Sequence, residues 1–128
     1  MTKKIIFVFL FLFLFSKIIY SQIPKTDALF KTILAKDSML FDAGFNHCDI
    51  SQFEDLLSEN LKFYHDKDGF SDKTKFISDL KKGICNNTEN RQVKRFLLKE
   101  KTEIFPLYKN GALYGVVQNG EHLFSEKR

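Results

Sequence analysis

Leu61-Lys62-Phe63-Tyr64-His65-Asp66-Lys67-Asp68-Gly69 divides the chain into two halves of different periodicity. Its first part alternates, with Leu61, Phe63 and His65 on one face and Lys62, Tyr64 and Asp66 on the other, as a strand requires. Its last part, rich in Asp and closed by Gly69, reads as a turn. Before it the apolar residues recur at helical spacing; after it come one more helix and then a period of two. The titratable His65, beside a carboxylate at a strand end, marks a place where ligand contact or proton transfer fits.

Working back towards the N-terminus, Ser51 to about Leu57 reads as a short helix that buries Phe53, Leu56 and Leu57. Thr26 or Asp27 can cap a longer helix running to about His47. Phe30, Ile33, Leu34, Phe41, Phe45 and Cys48 form its stripe. Asp37 falls on the same stripe. A carboxylate there either finds a partner or lines a cavity, or the helix rolls enough for it to reach solvent, because burial alone is costly. Further back, Lys3 and Lys4 precede the uninterrupted apolar run Ile5 to Phe15, and small Ser21 suits the position before a signal-peptidase cut. Residues 1–21 therefore read as a secretory leader cleaved before Gln22, with an uncleaved N-terminal anchor as the alternative.

The 20 Lys and Arg exceed the 16 Asp and Glu, but Lys3, Lys4 and Lys17 lie in the leader. Residues 22–128 are close to neutral with mixed signs, which offers no electrostatic track for nucleic acid. Once the leader is cut, no stable membrane anchor is expected. In an exported chain the pair Cys48 and Cys85 points to a disulfide, with two separately buried thiols as the alternative. No CxxC pair, dinucleotide-binding glycine pattern, P-loop or zinc-protease motif occurs, so no cofactor or metal is expected.

Working forward, Ser71-Asp72-Lys73 caps a helix of about Lys73 to Lys82 that turns Phe76, Ile77 and Leu80 inward and stops at Gly83. Ile84 to Asn90 is a polar loop. From Arg91 the alternation places Phe96, Leu98, Thr102 and Ile104 on one face and Arg95, Leu97, Lys99, Lys101 and Glu103 on the other. On that reading the Lys94–Lys101 run is a solvated face. Pro106 ends or bulges this strand. Asn110-Gly111 is a tight hairpin turn, and the returning strand runs from Leu113 to Phe124. The order predicts an α+β domain with helices packed on one face of an antiparallel sheet.

Asp37, Leu40-Phe41, Phe45-Asn46-His47-Cys48-Asp49, Phe63-Tyr64-His65-Asp66 and Pro106-Leu107-Tyr108-Lys109-Asn110-Gly111 to Gly120-Glu121-His122 together give the chain a resemblance. It resembles exported bacterial members of the nuclear transport factor 2-like superfamily, nearest to SnoaL-like and related domains of unknown function. The resemblance covers nearly all of residues 22–128. It implies a cystatin-like cone, a curved antiparallel sheet around a long first helix with an apolar pocket inside. The family pattern has two further strands beyond the His122 strand, often with a Trp-containing pair. This sequence stops at Arg128 and has no Trp, so the expected cone lacks its last strands.

The family contains both binding modules and enzymes, so the fold does not set the activity. A pocket-bearing module for a small hydrophobic ligand or a protein partner is the first expectation. An acid–base isomerase or cyclase using Asp37 or His65 is the alternative. Asp37, Phe63, Tyr64, His65 and His122 are the candidate ligand-binding residues, and Tyr64 is a candidate oxyanion donor. Homodimerisation through the sheet and a periplasmic or secreted location complete the expectations.

Overall fold

The structure, a computed structural model, describes residues 22–86 and 92–127. The expected leader, residues 1–21, and part of the expected loop, residues 87–90, lie outside these residues. The described chain is α+β: helices with one short hairpin among them, then longer antiparallel strands.

Helix α1 spans Ala28–Ser38, and Asp27 caps it by accepting a hydrogen bond from the Leu29 amide at 2.7 Å. It then passes into a π-helical segment, Met39–Asn46, instead of continuing as α-helix to His47. The wider winding of that segment rotates its side chains away from the 3.6-residue stripe. Gly44 sits against Phe53 there; a Cβ at this position would lie 2.7 Å from the Phe53 ring, so only glycine fits. Cys48, with φ of 56°, reverses the chain in the left-handed conformation common just past helix ends.

Asp49 then organises the next turn, accepting from Ser51 Oγ at 2.6 Å and Gln52 Nε2 at 3.0 Å. Those bonds hold its carboxyl below the usual value. Helix α2 is Ser51–Leu56. Strands β1 (Phe63–His65) and β2 (Gly69–Ser71) form a short hairpin. Helix α3, Lys73–Lys82, begins under an Asp72 cap on the Lys75 amide.

Phe53, Ile77 and Leu80 form the buried centre of the helical half, with Leu40, Phe45, Ile50, Leu57 and Phe76 around them. Phe76 stacks edgewise on Phe53 and reaches Phe63, with ring centroids 5.6 and 4.7 Å away. A disulfide joins Cys48 to Cys85, 37 residues on. It ties the end of the π-helical segment to the end of α3.

The rest of the chain is one long antiparallel hairpin in two parts. Strands β3 (Gln92–Leu97) and β6 (His122–Lys127) pair at its base, and β4 (Glu103–Lys109) and β5 (Ala112–Asn119) pair at its tip. Asn110 and Gly111, with φ of 51° and 78°, make the two-residue turn expected of Asn-Gly. Pro106 does not end β4. It lies within the strand opposite Val116, and the irregularity falls one step later, between Leu107 and Tyr108.

Leu97 pairs with His122 and Ile104 with Gln118, so the β3–β4 side holds three more residues than the β5–β6 side. Those residues are taken up by a 3₁₀ turn, Lys99–Lys101. An odd insertion reverses the alternation beyond it. Arg95 and Leu97 consequently share the helix-facing side with Thr102 and Ile104, which are buried, while Phe96 is half exposed on the other side. This corrects the face expected for Arg95 and Phe96: unbroken alternation would put Arg95 in solvent.

Candidate functional site

Asp37 lies near the end of α1, on the side that meets the hairpin. Its carboxylate accepts from Arg95 Nη1 at 3.0 Å and Nη2 at 3.4 Å, and from Gln118 Nε2 at 2.9 Å. Only 8% of the Asp37 side chain and 10% of the Arg95 side chain remain exposed. The two-pronged geometry suits a guanidinium and not an ammonium. Below the fork, the Arg95 guanidinium carbon lies 3.7 Å from the centre of the Phe41 ring. Of the three possibilities open for Asp37, the structure thus supplies partners, and places them beside a cavity.

Asn46 fixes the same strand from the main-chain side. Its Oδ1 accepts from the Arg95 amide at 2.7 Å, and its Nδ2 donates to the Arg95 carbonyl at 2.9 Å. The side-chain amide imitates a neighbouring strand over one residue. Three elements therefore converge: α1 through Asp37, the π-helical segment through Phe41 and Asn46, and the hairpin through Arg95 and Gln118.

Beside this cluster runs a groove of about 360 Å³, walled by Leu34, Ala35, Phe41, Phe96 and Leu97, with Asp37 and Arg95 in its lining. A second depression, of about 400 Å³, follows α3. Two of its three lysines are engaged in ion pairs, Lys73 with Glu59 and Lys81 with Glu54. The first groove alone combines apolar walls with a buried polar group.

The other candidate residues lie elsewhere. His65 serves its own hairpin: its Nδ1 accepts from the amides of Lys67 and Asp68 at 3.2 and 3.3 Å. A ring nitrogen in that role is unprotonated, so the carboxylates of Asp66 and Asp68 beside it form ion pairs only when the ring takes up a proton. Tyr64 is exposed and packs on Phe70, and Phe63 is a wall of the helical core against Phe76. His122 stands opposite Leu97 on β6 and meets Phe124 edge to face at 5.0 Å. The structure brings neither His65 nor His122 into the Asp37 groove. Among the described residues no group of three His, Cys, Asp or Glu side chains is placed to hold a metal ion.

The chain matches no known family model, no curated protein and no solved structure. The site is therefore read from its own geometry. Arg95, Gln118 and Asn46 are the members that sequence reasoning passed over. Gln118 stands on the same alternating set as Val116 and His122, and a lone amide there was a usable signal. The Leu97-Leu98 doublet before Lys99-Glu100-Lys101 was the signal for Arg95, because it breaks the period of two.

Proposed function

We propose that this chain is an exported binding module that holds a small apolar ligand in the groove between α1 and the hairpin. The observation that carries this reading is the groove itself: apolar walls around one neutralised charge pair, at a volume suited to a small molecule. The apolar leader, the cut position after Ser21 and the Cys48–Cys85 bond support export. The α+β order and the resemblance to the nuclear transport factor 2-like superfamily support a pocket framed by helix and curved sheet. Acid–base catalysis draws less support. Both oxygens of Asp37 are already engaged by Arg95 and Gln118, and a general base needs a lone pair directed at substrate.

Titration of residues 22–128 with the fluorescent apolar anion anilinonaphthalene sulfonate tests the reading. Saturable enhancement is expected, and Ala35→Trp, which fills the groove from an exposed helix position, is expected to abolish it without changing helix content. Equal enhancement in the Trp variant, or none in the parent protein, would remove the groove as a binding site.

A further inference from the structure

The long hairpin has two outer edges, and they are finished differently. Along β3–β4 the edge is occupied. Asn46 takes both outward main-chain groups of Arg95, and the Ile23 amide donates to the Ile104 carbonyl at 3.0 Å. That edge also carries Pro106 and Lys109, two residues that discourage strand pairing. Along β5–β6, among the described residues, no further strand pairs. From Leu113 to Ser125 this edge has no proline and one charged residue, Glu121. Natural edges are normally guarded by charge, proline or short length; this one carries Glu121 alone. Tyr114, Val117, Leu123 and Phe124 stand about half exposed or more along it.

The outward groups of that edge follow from the contacts on the opposite one. Arg95 points its amide and carbonyl away from β6, so its partner Phe124 points its own away from β3. Ile104 points its carbonyl away from β5, so Gln118 points outward as well. Gln118 and Phe124 are six residues apart, an even number, so Val116, Gln118, Gly120, His122 and Phe124 form one outward row.

We propose that the β5–β6 edge is a strand-addition surface whose occupant is a second copy of this chain, paired antiparallel about a two-fold axis at Gly120. In that register Gly120, which has no side chain, meets its counterpart at the axis. Val116 falls opposite the partner's Phe124 on the helix-facing side. Val117 falls opposite the partner's Leu123 on the other side. Asn119 falls opposite the partner's Glu121, polar against polar. The edge is thus self-complementary, as an isologous contact demands, and brings no rows of like charge together. Pairing turns two two-stranded ribbons into one sheet of four strands.

Sedimentation velocity on oxidised residues 22–128, at micromolar and submillimolar protein, tests this. The parent protein is expected to be a dimer. Val117→Lys/Leu123→Lys sets lysine against lysine twice across the axis and is expected to weaken the dimer about a hundredfold. Val117→Lys/Leu123→Glu sets Lys against Glu and is expected to restore it. A monomeric parent, open-ended assembly, or a dimer indifferent to the double Lys change would overturn the proposal. If the Lys variants do not fold, amide exchange in the parent protein decides: the Gln118 and His122 amides are protected at high concentration and lose protection on dilution. Protection independent of concentration would overturn the proposal equally.

Discussion

Arg95→Ala is expected to destabilise the protein by about 3–5 kcal/mol, enough to leave little or no folded chain if total stability is typical of a small domain. The cause is what remains. Asp37 keeps its place on α1, 8% exposed, with one amide and no cation. The Phe41 ring loses the guanidinium above it. Urea unfolding of the oxidised protein measures the loss. Arg95→Lys is expected to fall between the parent and the Ala variant, because an ammonium keeps the charge but cannot span both carboxylate oxygens. Asp37→Leu/Arg95→Met removes both charges and is expected to recover most of the stability, since a buried pair is costly to break and cheap to replace. If Arg95→Ala costs less than about 1 kcal/mol, the pair behaves as a surface salt bridge and the site description is wrong.

Reduction of Cys48–Cys85, or Cys48→Ser/Cys85→Ser, is expected to cost about 4 kcal/mol on the chain-entropy account for its 37-residue separation. The bridge closes a segment that contains α2, β1, β2 and α3. Without it, α3 is held to the rest by the Phe53–Ile77–Leu80 cluster, the Phe76 rings and surface ion pairs. Paired urea titrations with and without reductant read the difference directly. A midpoint unchanged by reductant would mean that the helical half is fixed by packing alone.

Much of the helical half was legible in the sequence because its signals are local. Asp27, Asp72 and the Asp49-Ile50-Ser51-Gln52 turn stand where the helices begin, and the apolar faces of α2 and α3 follow from spacing. Asn110-Gly111 set the hairpin for the same reason, since the turn chemistry is contained in two residues. The π-helical winding after Ser38 was not legible, because nothing in Met39–Asn46 distinguishes it from an α-helix with the same apolar residues. The site was half legible. Asp37 stood out as a charge on an apolar stripe, but its partner is 58 residues away and its face depends on a turn of three residues. His65 and His122 drew attention by residue type alone, and their surroundings are a hairpin turn and a strand edge.

The Lys99–Lys101 turn also governs which changes of chain length the hairpin can absorb. Side chains along β3 keep a parity relative to β4, and the turn sets it. Gaining or losing two residues there would shift the joint but leave Arg95 under Asp37. Gaining or losing one would turn β3 over, carrying Arg95 to the outside and leaving Asp37 without its cation. Relatives that keep the buried pair should therefore differ at this joint by even steps.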